Sequence, residues 1–405
     1  MHCGIIAYNF LRGVSMNYTA DQRRKLWGIL VSLALAITVA ITLDCIPVAT
    51  NIPTDVLDST VPDTPPSTLE PESDEVADTT PPDTDAATQS PENTEEQEST
   101  APDTDVPAIP DTSFVLTFLG ECAPGSPLGT SSFGSLNAIT NEKGVDYYFS
   151  QLYSILSADD LTVAANSCIF TDNNAPSTLI ECVAPASSAN IYKYGSVDFL
   201  SVAAPVLNEY SDTSLADTKS ALDTATIAYA NDGQITYFEN AGIRVAVVSL
   251  QLAKNLNTAD DTELVRTAKA SAEYVIVYFW GGDNDSHAPE EWLTAALRSF
   301  ADAGASLIVG CGNGVLRPLE KYYDTTIAYS LGTLIDGSSI YHENATALLQ
   351  LKLTKDEAGN LAENIQMIPC YVYKDVWQPC LVSDPSDEQN IIAFLYGEAK
   401  SPTEY

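Results

Sequence analysis

The chain is poor in positive charge. Its 405 residues hold 18 Lys and Arg against 55 Asp and Glu, a formal net charge of −37. A surface of that sign repels a phosphate backbone, which excludes nucleic acid as a natural partner. It also opposes tight binding of any polyanion unless cations bridge the two. Histidine is scarcer still, at three residues: His2, His287 and His342. Residues 46–112 lack aromatics, Lys and Arg altogether but carry 17 acids. Such a stretch cannot bury enough apolar surface to offset chain entropy. Residues 26–43 lack charge of either sign.

These absences divide the chain. In the uncharged run, from Leu26 to Leu43, eighteen residues at ~1.5 Å each span about 27 Å, close to a bilayer core. Arg23-Arg24-Lys25 precedes it. A basic cluster on that side keeps residues 1–25 cytoplasmic and sends the rest outside. The expectation is a single-pass transmembrane anchor at the cell membrane with an extracellular C-terminal part. A cleaved signal peptide is the alternative. Residues 46–112 read as a disordered acidic stalk in which Pro-Asp-Thr recurs at Pro62, Pro82, Pro102 and Pro110. Proline and like-charge repulsion keep it extended.

The folded part is expected over 113–380, with 381–405 as a C-terminal tail. Apolar runs at 114–119, 161–165, 199–203, 243–250, 274–279 and 307–309 read as buried strands, with 326–329 and 348–353 as further candidates. Helical spacing occupies 145–157, 214–223, 262–270 and 289–303. Strand–helix alternation indicates an α/β core. Six cysteines lie on the expected outer side: Cys122, Cys168, Cys182, Cys311, Cys370 and Cys380. An even number suits disulfides in an oxidising compartment.

Several short motifs then follow in order: Phe118-Leu119-Gly120-Glu121, the run from Asp160 to Asn166, the run from Asp198 to Ala203, Leu215-Ala216-Asp217-Thr218, Phe279-Trp280-Gly281, the run from Gly304 to Gly310, and Tyr329-Ser330-Leu331-Gly332. In that order they resemble the capsule-synthesis CapA family, linked to poly-γ-glutamate synthesis. The resemblance implies a metallophosphatase-like αββα sandwich and, in relatives, a divalent-metal site. It also implies a capsule-assembly protein or a cell-envelope polymer as partner.

Set against the family's motifs, the metal-ligand positions of this chain are altered. Glu121 stands for the Asp after the first Gly. Asn166 is kept, but Cys168 stands where Asn-x-Glu has Glu. Ala204, Pro205 and Val206 replace Asn-Asn-His, with Glu209 nearby where the family tends to have Asp. Phe279 replaces the His of His-Trp-Gly, leaving Trp280. Cys311-Gly312-Asn313-Gly314 replaces His-His-Pro-His. Two or three oxygen donors without imidazole hold a transition metal poorly. The expectation is therefore a protein with no catalytic residue, no metal and no cofactor, a pseudoenzyme. The alternative is a metal-dependent hydrolase or transferase with a site rearranged around Glu121, Asn166, Glu209 and Asp283. Because cysteines replace or flank ligands, the resemblance suggests a disulfide Cys122–Cys311 or Cys168–Cys311; pairing Cys168–Cys182 and Cys370–Cys380 stays open.

Three other features read more plainly. Asp283-Asn284-Asp285-Ser286-His287 has the acidic alternation of a cation loop but lacks the glycine and closing glutamate of a calcium hand. Gly310 to Gly314 lacks the Lys and Ser/Thr of a phosphate loop. Tyr371, Tyr373 and Trp377 read as packing or turn residues.

Overall fold

The computed structural model describes residues 113–127, 135–173, 182–209, 213–256, 258–312, 314–337 and 343–403. The expected anchor, the stalk, Asn313, His342 and the side chain of Glu209 lie outside the described residues.

Strand β1 (Ser113–Ala123) opens the domain, followed by α1 (Leu136–Lys143), α2 (Tyr153–Leu156), β2 (Leu161–Asn166), β3 (Ile169–Phe170) and β4 (Val183–Ala184). Next come α3 (Asn190–Tyr194), β5 (Phe199–Ser201), α4 (Val206–Glu209), α5 (Ser214–Ala225), β6 (Ala228–Ala230) and β7 (Gln234–Asn240). The middle holds β8 (Ile243–Leu252), α6 (Thr258–Lys269), β9 (Tyr274–Gly281), α7 (Glu291–Asp302) and β10 (Leu307–Cys311). The last part runs β11 (Leu319–Tyr322), β12 (Thr325–Ala328), β13 (Thr333–Asp336), β14 (Ala345–Lys355), β15 (Leu361–Tyr371), β16 (Cys380–Leu381) and α8 (Pro385–Leu395).

Two large sheets result. One runs β16-β15-β14-β1-β2-β5-β6, with β13 also pairing β1; the other runs β11-β12-β10-β9-β8-β7. Side chains alternate across each strand, and both faces of the central strands are covered. Along β9, Tyr274, Ile276 and Tyr278 enter the core between the sheets, while Val275, Val277 and Phe279 enter an outer core. Along β1, Phe114, Leu116 and Phe118 point between the sheets, and Leu119 and Cys122 point outward. Helices α1 to α5 cover the outer face of the first sheet through Leu136, Leu156, Tyr192, Leu207 and Leu222. Helices α6 and α7 cover the second through Val265, Leu293, Leu297 and Phe300. The layers are helix, sheet, sheet, helix, a mixed α/β fold.

Each expected strand overlaps an observed one. The expected helix at 145–157 is only a string of turns ending in α2. Its bonds run from Ser150 N to Tyr147 O and from Leu152 N to Phe149 O, three residues back rather than four. Tyr148 is diverted to donate its hydroxyl to Leu136 O at 2.9 Å. The boundary after residue 380 is also corrected. Residues 381–403 belong to the domain, because Ile391, Phe394 and Leu395 of α8 sit in the core between the sheets.

At the N-terminal edge of β2, Asp159 accepts the Thr162 hydroxyl at 2.8 Å. Burial pushes its carboxyl up to about 6, hydrogen bonds from Thr117 and Thr162 oppose this, and Asp198 and Asp160 add to it. A raised carboxyl pKa gives stability that is complete below the unfolded value near 4 and is lost as pH rises through about 6. Asp159→Asn should therefore stabilise the domain at pH 7.5 by about 1 kcal/mol after solvent screening. Chemical denaturation at pH 7.5 and pH 4 checks this: the gain should disappear at the lower pH.

Candidate functional site

The motif ends converge at the C-terminal ends of β1, β2, β9 and β10. At β1 the chain bulges. Its register against β2 shifts between Phe118 and Glu121, and against β13 between Glu121 and Cys122. A bulge re-aims the side chain that follows it. Glu121 N–H donates to Gly332 O at 3.0 Å, so the first and last motifs meet directly. The Glu121 carboxylate accepts the Trp280 indole N–H at 3.3 Å. Cys311 lies beside Trp280 in the parallel pairing of β10 with β9, and the indole ring lies against Gly312.

Asn166 is buried, and its amide is occupied. Its Oδ1 accepts the Tyr192 hydroxyl at 2.8 Å and Cys168 N–H at 3.4 Å, while Nδ2 donates to Cys168 O at 2.8 Å. Burial raises the Tyr192 hydroxyl well above its ordinary value, and the neighbouring Cys122, Cys168 and Cys182 add to this. Burial likewise raises the thiols of Cys122 and Cys311, with Glu121 next in effect for both. These are protonated, inert sulfurs rather than nucleophiles.

Of the positions singled out by sequence, Glu121, Trp280 and Cys311 come together, and Asn166 and Cys168 form a second, adjoining group. Phe279 does not join either. It alternates with Trp280 along β9 and packs into the outer core under α7. Ala204 is buried and supplies no donor side chain. Asp283, proposed for a rearranged site, accepts the Trp292 indole N–H at 2.9 Å. Among the described residues no group of three or more His, Cys, Asp or Glu is arranged to hold a metal. The donor set therefore does not fit the paired divalent ions that the resemblance implied.

The six cysteines are all free thiols, which corrects the expected bridges from Cys311. Cys122 and Cys168 face the outer core of the first sheet, whereas Cys311 faces the core between the sheets and donates to Phe279 O at 3.6 Å. A Cys370–Cys380 bridge is disfavoured for a similar reason. Tyr371 pairs with Cys380 and Cys370 with Leu381 across β15 and β16, so the two sulfurs leave opposite faces of the sheet.

Sequence reasoning missed the ion pair that fixes this end of the fold. Arg317 is fully buried. Its guanidinium donates to Glu290 Oε2 at 2.9 Å, Ser286 O at 2.9 Å and Asn284 O at 3.2 Å. The acidic alternation at 283–287 thus does surround a cation, one supplied by the protein. Burial works against ionising Glu290, but the hydrogen bonds from Arg317 and Asp283 N–H prevail and hold its carboxyl below the ordinary value. His287 completes the cluster with Nδ1 at 2.8 Å from Leu316 O and its ring edge-on to Phe394. The signal was an arginine inside an apolar stretch, Val315-Leu316-Arg317-Pro318-Leu319, where a charge needs a partner.

Comparison with known proteins places this geometry. The profile of a family described as "Bacterial capsule synthesis protein PGA_cap" matches residues 115–338. "PGA biosynthesis protein CapA" of Bacillus subtilis (strain 168) is 26% identical over 276 residues, covering 62% of this chain and 72% of that protein. "Capsule biosynthesis protein CapA" of Bacillus anthracis is 24% identical over 246 residues, covering 53% of this chain and 60% of that protein. A solved hypothetical protein from Thermus thermophilus aligns with 63% of this chain and 99% of its own at 12% identity and a TM-score of 0.39, too distant to carry an argument.

Proposed function

The chain belongs to the bacterial capsule synthesis protein family PGA_cap, and from that premise we propose that it is a membrane-anchored, extracellular and non-catalytic member. It keeps a metallophosphatase-like αββα scaffold as a binding or assembly module for capsule synthesis. The observation that carries this reading is the state of the ligand positions. One carboxylate, Glu121, is bound by an indole, one amide, Asn166, is fully engaged within the protein, and no imidazole accompanies them. The uncharged run at 26–43 behind Arg23-Arg24-Lys25 supports the anchor. Residues 113–405 carry a net charge of −22. That balance favours a capsule-assembly protein over the polyanionic poly-γ-glutamate as the direct partner.

The test is complementation. In cells that depend on this chain for capsular polymer, deleting it should lower the polymer, and Glu121→Gln should restore it fully. Glutamine keeps an oxygen to accept the Trp280 indole, so the fold is preserved. A folded Glu121→Gln variant that fails to restore the polymer would contradict the non-catalytic reading.

A further inference from the structure

Cys168 and Cys182 are brought side by side by the smallest sheet of the fold. Strands β3 and β4 pair in parallel, Ile169 with Val183 and Phe170 with Ala184, and Ile169 N–H donates to Cys182 O at 3.1 Å. The cysteines precede the paired residues on each strand, so they stand opposite each other with side chains on one face. Parallel neighbours lie about 4.8 Å apart, within the roughly 4.4–6.8 Å range between Cα atoms that a disulfide spans. Both thiols are buried in the outer core of the first sheet, and the Cys168 thiol is the hydrogen-bonding neighbour of Cys182. Gly125 crosses directly above them; a Cβ there would stand 2.5 Å from the Cys168 sulfur. The other expected pairs are separated by a sheet face.

We propose that Cys168 and Cys182 form a disulfide in the exported protein, tying β3 to β4 beside Asn166. The proposal rests on the reading that the domain lies outside the membrane, where thiols meet disulfide oxidants. Two thiols lose two protons and two electrons, and one S–S bond forms. The oxidant, a small-molecule or protein disulfide, loses its own S–S bond and leaves as two thiols. In the folded chain, burial raises the Cys182 thiol well above its ordinary value, so exchange is slow once the core has closed. The bond therefore forms during folding. It closes the loop between the two cysteines and should raise thermal stability by several degrees.

The experiment uses the full chain in two preparations, one recovered from the cell envelope and one refolded from the reduced, denatured state in a buffer of reduced and oxidised glutathione. Digestion beside aspartate and glutamate cuts between the cysteines at Asp172 and Glu181. Mass spectrometry should then find one linked peptide pair, lighter by two hydrogens than the two reduced peptides. Cys168→Ser should abolish the link and lower the melting temperature to that of the reduced protein. Failure to form Cys168–Cys182 on refolding overturns the proposal. Formation on refolding, with free thiols at both positions in the envelope preparation, overturns the proposal for the exported protein and traces the failure to the location.

Discussion

Gly120→Ala should destabilise the domain by about 3 kcal/mol or more, at the upper end of what overpacking costs. Glycine is required where the two outermost motifs cross. A Cβ at Gly120 would stand 2.2 Å from Gly332 O and 3.3 Å from Leu331 O, both backbone atoms. Neither can move freely. Gly332 O accepts Glu121 N–H at 3.0 Å, and Leu331 N–H donates to Gly310 O at 3.0 Å, which ties the crossing to β10. Gly332 N–H is held by the Ser330 hydroxyl at 3.1 Å. Relief of the clash requires β1 and β13 to part, and with them the bulge that aims Glu121. Urea denaturation measures the loss; an unchanged midpoint would show that the two segments do not cross so closely.

Arg317→Ala should cost about 3–5 kcal/mol, because it leaves Glu290 and two carbonyls without their cation in a mostly buried position. The side chains of Arg317 and Glu290 are 0% and 11% exposed. Removing both charges should cost far less than removing one. The double variant Arg317→Met with Glu290→Gln is expected to recover most of the loss, a coupling of about 2 kcal/mol or more in a double-mutant cycle. If the two single losses simply add, the pair is not the partnership that the geometry describes. The same variant should loosen the 283–287 turn, since the guanidinium binds Asn284 O and Ser286 O.

How much of this was legible in the sequence depended on burial. The central strands announced themselves because both faces are covered, which leaves runs such as Tyr274-Val275-Ile276-Val277-Tyr278-Phe279 without polar interruption. Strand β15 did not, because Ala362, Glu363 and Asn364 near its start are exposed and only its far half is covered. Helix α8 was readable yet taken for a tail. Asp384 caps it by accepting Ser386 N–H at 2.8 Å, Pro385 opens it, and Asp387 and Glu388 fill the first turn, a complete start signal. What sequence could not give was that Ile391, Phe394 and Leu395 find a gap between the sheets.

The site divides in the same way. The order of motifs located Glu121, Asn166, Trp280 and Cys311 correctly at converging strand ends. The facing of side chains was the harder part. Strand alternation alone places Phe279 and Trp280 on opposite faces of β9, so only one of them can meet Glu121, and it is the tryptophan. The same parity sends Cys122 away from Cys311. The hydrogen bonds that occupy Asn166 needed Tyr192, a residue from α3 that no motif announced.

Metal binding by the purified full-length chain tests the central claim most directly. With manganese or zinc added in excess and then removed by gel filtration, elemental analysis should find well under one equivalent retained, and a generic phosphodiester should not be hydrolysed above the rate of a Glu121→Gln control. Two tightly held equivalents of metal, together with hydrolysis that Glu121→Gln abolishes, would contradict the account.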